Sequence, residues 1–216
     1  VGITSLTGGL INLKRGLVKW QPLIWFGIPS VIMVFVTRRI IYPLIPDIIF
    51  QNNSFTLNKE SFLLVFFAVM LVIVAYRMIS TSKLKNTGEK NLAIFMSVIV
   101  GLGVGALTGL LGIGGGFIIV PVLVFYFGLD AKQAVGTSLW LIAMNSLFGY
   151  FSRISHEASD WSFLFIYVVL SISGMFAGIR LSKTIPSEKI KHAFGYFILL
   201  LGVFIIIQEI LFPLKK

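Results

Sequence analysis

The feature that most constrains this chain is a glycine-rich segment at its centre. Residues 101–116 read GLGVGALTGLLGIGGG, so eight of these sixteen positions are glycine, and the segment lies inside the uncharged run between Lys90 and Asp130. Each glycine weakens an ordinary helix by about 0.8–1 kcal/mol relative to alanine. In a bilayer, glycine lets helices approach closely and lets a helix break where bare backbone groups meet a polar ligand. The segment therefore predicts a membrane-buried site built largely from backbone.

The composition supports a membrane protein, because 57% of the residues are hydrophobic and only 12% are charged. A helix that crosses a bilayer needs about 20 predominantly apolar residues. Six charge-free runs reach or approach that length: Trp20–Thr37, Ser61–Tyr76, Asn91–Leu129, Gln133–Ser152, Trp161–Ile179 and Ala193–Gln208. We therefore expect an all-α fold, a polytopic transmembrane helix bundle that lies in the lipid bilayer.

Several other classes of protein are disfavoured. The net charge of +10 comes from Lys and Arg in short loops, which is typical of the cytoplasmic loops of membrane proteins, so no nucleic-acid partner is expected. The chain has no cysteine, which excludes disulfides and thiolate metal sites. No Lys follows the glycines as a phosphate-binding loop requires. No cluster of His, Asp and Glu has metal-binding spacing, so we expect neither a metal nor a cofactor and no catalytic residues.

The sequence also contains an internal repeat. Four segments recur in order: Thr4-Ser5-Leu6 as Thr137-Ser138-Leu139, Asn12 as Asn145, Lys19-Trp20 as Asp160-Trp161, and Ile45-Pro46 as Ile185-Pro186. We interpret residues 1–80 as the back part of a first repeat, 81–92 as a cytoplasmic linker and 93–216 as a complete second repeat. This division predicts that the front of the first repeat is missing from the chain and would hold a counterpart of the glycine segment.

The predicted helices are 1–13, 21–42, 61–80, 93–110, 117–128, 134–151, 161–182 and 192–212. The element at 117–128 is short and either crosses the membrane or dips into it and returns. If it crosses, one side carries 12 of the 18 Lys and Arg residues and the other carries 6; if it returns, the split is 10 to 8. An excess of Lys and Arg marks the cytoplasmic side, so the crossing topology is favoured. It makes the two repeats inverted, as in many secondary transporters.

The glycines fall into two groups with different expected roles. Gly101, Gly105 and Gly109 are spaced four residues apart, a pattern typical of close helix packing. The run at Gly114, Gly115 and Gly116 predicts a break, after which an apolar helix restarts. The N-terminus of such a helix offers free N–H groups and the positive end of a dipole, which can bind an anion. A tight turn between two packed helices is the alternative.

Polar side chains form a stripe that occurs in both repeats. Ser138 and Asn145 are seven residues apart, as are Ser5 and Asn12, so each pair shares one helix face about 10 Å apart along the axis. Thr137 and Thr4 lie beside these pairs. The six residues are candidates to line a substrate cavity through neutral hydrogen bonds. The alternative is ordinary bonding between helices, worth about 0.6 kcal/mol for each contact.

These residues resemble the sulfite exporter TauE/SafE family of bacterial membrane transporters. The similarity is carried by Gly109–Pro121, which reads GLLGIGGGFIIVP, and by Ala134–Leu139, which reads AVGTSL. Val1–Leu6 is similar to the second string, with Ile3 inserted. The resemblance implies a transporter for small sulfur anions such as sulfite and sulfoacetate, located in the bacterial inner (cell) membrane as a multi-pass protein.

Two other functions stay open at this point: a membrane-embedded enzyme and a non-transporting assembly subunit. The expected partners are a small anionic substrate and lipid, with a homo-oligomer as a further candidate. The sequence does not identify the substrate, the direction of transport or a coupling ion.

Overall fold

The part of the chain that the structure describes forms eight helices and one short hairpin. The computed structural model describes residues 1–52, 55–80, 90–112, 115–151 and 161–211. The elements are α1 (Gly2–Lys14), α2 (Trp20–Leu44), β1 (Ile48–Asn52), β2 (Phe55–Asn58), α3 (Lys59–Ser80), α4 (Lys90–Leu111), α5 (Gly116–Phe125), α6 (Ala131–Phe151), α7 (Trp161–Ser182) and α8 (Ser187–Leu211).

All eight predicted helices are present, each within a few residues of its expected bounds. Within the described ranges, five helices are long and apolar enough to cross a membrane: α2, α3, α4, α7 and α8. The all-α, polytopic bundle is thereby confirmed. The sequence did not predict the antiparallel pair β1–β2, nor the two π-helical turns of α2 at Leu23–Gly27 and Thr37–Ile41.

The hairpin is attached to the start of α3 through Lys59. Its ammonium group donates to the Asp47 carboxylate at 2.9 Å and to the Ile45 carbonyl at 3.2 Å, and it lies 4.4 Å from the centre of the Tyr42 ring. These contacts join the end of α2 to the beginning of the next span.

Matched helices of the two repeats pack against each other in antiparallel pairs. Helices α1 and α6 meet where a Cβ added at glycine would lie 3.1–3.2 Å from its neighbour: Gly2 with Ser146, Gly9 with Trp140 and Gly136 with Asn12. Helices α3 and α8 meet in the same way, through Gly195 with Met78 and Gly202 with Leu71. The two helices of each pair run in opposite directions through the bundle, which is the geometry of inverted repeats.

Helices α2 and α4 run parallel and are held together by the spaced glycines. Gly101 lies against the Phe26 carbonyl, Gly105 against the Ser30 carbonyl and Gly109 against the Val34 carbonyl. A side chain at these glycines would push the two backbones apart. The structure therefore contains the close helix packing expected for these three glycines.

The direction of α5 follows from its neighbours. Helix α2 also runs parallel to α6, because Gly27 meets Leu141 and, further along, Phe35 and Phe148 line one groove. Since α4 and α6 both run parallel to α2, residues 112–130 must return the chain from one side of the bundle to the other. This agrees with the crossing topology favoured by the charge count.

The packed interior lies between α2, α3, α5 and α6. Its fully buried side chains include Phe26, Leu71, Ile119, Leu123 and Leu141. Lipid is as apolar as these side chains, so close packing rather than removal from water favours this cluster in a bilayer. The cluster surrounds α5 and fixes where its N-terminus lies.

We expect Gly105→Leu to destabilise the bundle by about 1–3 kcal/mol, because Gly105 lies against the Ser30 carbonyl and a leucine side chain there would overpack the contact between α2 and α4. Gly103→Leu is the matched control, because Gly103 is exposed and a Cβ there meets nothing within 4 Å. Thermal unfolding of the two purified variants in detergent measures the difference. Equal losses of thermal stability would contradict glycine-mediated packing of α2 on α4.

Candidate functional site

The glycine segment breaks the helix where the sequence predicts. Helix α4 ends at Leu111 and α5 begins at Gly116. Both described glycines between them, Gly112 and Gly115, have φ of +70°, a conformation that side chains with a Cβ rarely adopt. Gly114, one of the predicted site residues, lies outside the described residues. The tight turn and the anion-binding terminus are both compatible with this geometry.

The N-terminus of α5 presents backbone donors. The N–H groups of Ile118 and Ile119 donate to the Gly115 carbonyl, at 3.0 and 2.9 Å. In an α-helix the first N–H groups have no acceptor within the helix. Gly116 and Phe117 therefore carry the donors at the positive end of the α5 dipole.

The Thr108 side chain lies against this terminus. A Cβ at Gly115 would overlap the Thr108 hydroxyl oxygen, so only glycine allows the two groups to approach this closely. Thr108 is 1% exposed, and among the described residues its hydroxyl has no hydrogen-bond partner. Thr108 was not among the residues predicted to form the site, although it is the one polar side chain within residues 101–116.

Helix α6 turns its polar stripe toward the break. Ser138, Ile142 and Asn145 follow at intervals of four and three residues, so they lie on one face of the helix. The start of α5 meets the middle of that face, because a Cβ at Gly116 would lie 2.9 Å from the Ile142 side chain. The predicted residues Gly116, Ser138 and Asn145 thus belong to one region of the structure.

Within that face, the two polar residues differ in how their hydrogen bonds are satisfied. The Ser138 hydroxyl donates to the Val135 carbonyl of its own helix at 2.9 Å. The Asn145 side chain is 3% exposed, and neither its amide nitrogen nor its oxygen has a partner in the described part of the chain. A buried amide without partners costs about 1–3 kcal/mol, so Asn145 is the least satisfied polar group on this face.

The region lies near the centre of the repeat. Gly8 and Gly9 of α1 contact Leu139 and Trp140 of α6. In the repeat, Gly8 corresponds to Leu141 and Gly9 to Ile142, so each glycine contacts a residue two positions before its own equivalent. The point where α1 and α6 cross is therefore within about two residues of Ile142, which is about 3 Å along the helix axis. Transporters with inverted repeats bind their substrates at such a level.

The other predicted residues are arranged differently. The Thr137 hydroxyl accepts a hydrogen bond from the Lys19 backbone N–H at 3.0 Å, which directs it toward the segment that follows α1. The Asn12 amide donates to the Gly8 carbonyl at 2.8 Å. Ser5 and Asn12 are buried on the α1 face that carries Gly2 and Gly9, so they lie toward α6 rather than toward the break. Thr4 is half-buried.

A cationic side chain lies at the outer edge of the break. The Arg38 guanidinium is 3.9 Å from the position that a Cβ of Gly112 would occupy. Arg38 belongs to the second π-helical turn of α2 and is half-buried. Arg38 was not among the residues predicted to form the site; Arg38 and Arg39 directly follow the charge-free run Trp20–Thr37 within α2.

The space at the break is small. A cavity of about 10 Å³ is lined by Thr108, Gly115, Phe117 and Ile118, with Phe67 and Leu111. This volume holds about one water molecule. A sulfur oxyanion has at least four heavy atoms, so in this conformation the cavity is too small to hold such an ion. Within the described ranges, no group of His, Asp and Glu could hold a metal ion.

Comparisons with known proteins agree with this architecture. A probable membrane transporter protein of Methanocaldococcus jannaschii is 36% identical over 108 aligned positions, which cover 47% of this chain and 40% of that protein. A second, of Haemophilus influenzae, is 26% identical over 218 aligned positions, gaps included, which cover 93% of this chain and 75% of that protein. YjnA of Bacillus subtilis, also a probable membrane transporter protein, is 32% identical over 117 aligned positions, which cover 51% of this chain and 46% of that protein.

The chain spans about half the length of most of these relatives. No solved structure matches it. The sequence profile of one family matches residues 1–205, nearly the whole chain, and includes both the broken helix and the repeated polar string. The chain therefore belongs to the sulfite exporter TauE/SafE family of membrane proteins.

Proposed function

We propose that this protein is a multi-pass transporter of the bacterial inner membrane that carries small sulfur anions, such as sulfite or sulfoacetate. Family membership and the names of the relatives support membrane transport. The family's description supports a sulfur anion, and the neutral hydrogen-bond donors at the break support an oxyanion in general. The substrate-binding groups are the backbone at Gly114, Gly115 and Gly116 with the side chains of Ser138 and Asn145.

The observation that carries the proposal is the meeting of α5 and α6. The positive end of α5 contacts Ile142, between Ser138 and Asn145. Backbone N–H groups, one hydroxyl and one unpartnered amide then face a common region. An oxyanion accepts hydrogen bonds from all three kinds of donor, and none of them adds a fixed charge to the interior.

Neutral donors suit an ion that must also be released. Each hydrogen bond to a charged group contributes about 1.5–3 kcal/mol. A fixed cation in the site would instead form a buried ion pair with the anion, and its own desolvation would cost more than one such hydrogen bond contributes. Arg38 lies at the edge of the break rather than among these donors. Thr108 adds a further donor when α5 moves and the cavity widens.

The first test is transport by the purified chain in lipid vesicles loaded with labelled sulfite or sulfoacetate. We expect efflux well above that of empty vesicles and competition between the two anions. Chloride at equal concentration serves as the control for nonspecific anion leakage. A folded, inserted chain that moves neither sulfur anion would refute the proposal.

Replacing Asn145 with Leu separates binding from stability. If the amide binds the anion, Asn145→Leu lowers affinity for the anion by about tenfold or more, since a hydrogen bond to a charged group is lost. The same substitution leaves thermal stability unchanged or raises it, because it removes a buried amide without partners. Vesicle flux and thermal unfolding, measured on one preparation, give the two values. Unchanged flux would exclude Asn145 from the site.

Gly115→Ala tests the backbone at the break. Alanine at φ +70° is strained by about 1–2 kcal/mol, and its Cβ would also overlap the Thr108 hydroxyl. Gly128→Ala is the matched control, since Gly128 has φ +62° but a Cβ there meets nothing within 4 Å.

We expect both alanine variants to be destabilised by the strain of alanine at positive φ. Only Gly115→Ala should also lose transport flux. Flux normalised to inserted protein is the measurement. Equal flux from both variants would mean that the close approach of Gly115 to Thr108 has no part in transport.

A further inference from the structure

An apolar groove lies between α2 and α6 at the surface of the bundle. Its volume is about 330 Å³, which is within the range of ligand pockets. Four of its side chains are exposed, with Ile32 at 56% and Phe148 at 48%, so the groove opens to the surroundings of the bundle. In a bilayer those surroundings are lipid. All six lining residues are apolar: Ile28, Val31, Ile32, Phe35, Met144 and Phe148.

One end of the groove is closed by packing of α2 on α6. Gly27, one residue before Ile28, lies against the Leu141 side chain. Val31 is only 5% exposed, so it forms the floor of the groove. Because α2 and α6 run parallel, the groove extends from this contact toward the C-terminal ends of both helices. Only that direction leaves it open.

The groove and the residue that follows it have the length of one lipid leaflet. Ile28 and Arg39 are 11 residues apart, which is about 16 Å of helix. The hydrocarbon core of a bilayer is about 30 Å thick, so one leaflet occupies about 15 Å of it. Trp20, at the start of α2, lies about 12 Å from Ile28 in the other direction, where an interfacial tryptophan is expected. The groove therefore runs from near the middle of the membrane to one interface.

An arginine continues the groove along α2. Residues at intervals of four, three and four share one helix face, and this is the spacing of Ile28, Ile32, Phe35 and Arg39. Arg39 belongs to the π-helical turn Thr37–Ile41. A π-helical turn contains more residues than an α-helical turn, so the residue four positions after Phe35 comes more nearly into line with it. The π-helical turn thus places Arg39 at the open end of the groove.

Arg39 and the neighbouring Arg38 have different surroundings. Arg38 is half-buried and lies 3.9 Å from the Cβ position of Gly112, on the side of α4. Arg39 is exposed, and in the described ranges no acidic side chain pairs with it. A guanidinium near the end of a membrane span extends to the interface, where lipid phosphates lie. It binds phosphate through two parallel N–H donors, so Arg39 can hold a lipid headgroup.

We propose that the groove between α2 and α6 binds one anionic phospholipid, with an acyl chain against Ile32 and Phe35 and the headgroup phosphate on Arg39. The apolar lining and the leaflet length fit the chain, and the guanidinium at the open end fits the phosphate. Any acyl chain could enter the groove, and the positive charge of Arg39 favours a lipid with net negative charge. The site is separate from the break between α4 and α5, and it does not depend on the transported solute.

The test uses the whole chain in vesicles of equal parts phosphatidylglycerol and phosphatidylcholine. The photoreactive residue p-benzoylphenylalanine replaces Phe35, and mass spectrometry identifies the lipid that illumination joins to it. We expect phosphatidylglycerol adducts to exceed phosphatidylcholine adducts by about fivefold, the preference that one basic residue gives beside anionic headgroups. The same photoreactive residue at Val69, an exposed position of α3, should give equal amounts of the two adducts.

Substitution of the arginines separates the headgroup contact from general positive charge. Arg39→Gln should remove the preference for phosphatidylglycerol at position 35, whereas Arg39→Lys and Arg38→Gln should retain it. An unchanged preference in Arg39→Gln, or an equal loss in Arg38→Gln, would overturn the proposal. Crosslinks between two chains in place of lipid adducts would also overturn it, since a second copy would then occupy the groove.

Thermal unfolding in detergent provides an independent readout. A ligand that binds only the folded state stabilises it, so added phosphatidylglycerol should raise the unfolding temperature by several degrees more than added phosphatidylcholine. Ile32→Trp fills the groove and should remove this difference, while Val69→Trp should keep it. Ile32 is more than half exposed, so its substitution leaves the packed interior intact. A full phosphatidylglycerol effect in Ile32→Trp would contradict binding of an acyl chain in the groove.

Discussion

Backbone N–H and C=O groups that lack hydrogen-bond partners inside a bilayer must be enclosed by protein, and the rest of this structure depends on that requirement. Where α4 ends and α5 begins, several N–H and C=O groups lack helical partners, and lipid cannot satisfy them. The bundle surrounds this break with Phe67 of α3, Thr108 of α4 and Ile142 of α6. An interruption of this kind is tolerated only where it is buried in protein or lines a cavity. The positions of α3, α4 and α6 around α5 therefore follow from the need to cover one short piece of backbone.

Glycine has two separate functions in this segment. At Gly101, Gly105 and Gly109 the backbone is helical, and the absent side chain lets the α2 backbone approach. At Gly112 and Gly115 the backbone has positive φ, and the absent Cβ lets the chain reverse beside Thr108. The two functions are linked, because the first group fixes α4 against α2 and so determines where the second group turns the chain. A change in the packing of α2 on α4 would displace the N-terminus of α5.

The sequence predicts the helices of this fold better than the side-chain contacts between them. The eight helices, the inverted pairing of matched helices and the break all follow from charge-free length, repetition and glycine density. The role of Thr137 could not be predicted, because its hydroxyl accepts from Lys19, 118 positions away, and no periodicity encodes such a contact. Thr108 and Arg38 were missed for the same reason: each approaches the break only because α2, α4 and α5 meet there. The hairpin at β1 and β2 gave no strong signal in so short a loop. Substrate binding by Gly114, Gly115, Gly116 and the six polar residues stays a prediction.

The closed break also indicates which element must move for the proposed transport. Helix α5 has ten residues, about 15 Å, and contains Pro121, which removes one hydrogen bond from its interior and leaves the Phe117 carbonyl without its usual donor. It is thus the shortest apolar helix of the described bundle, and Gly115 and Gly116 at its start lie against Thr108 and Ile142. Moving it away from α6 would open space beside Asn145 while the antiparallel pairs α1–α6 and α3–α8 keep their glycine packing. An anion that replaced the lost contacts with hydrogen bonds to Gly116, Thr108 and Asn145 would favour the open position, so substrate binding and movement of α5 would be the same event.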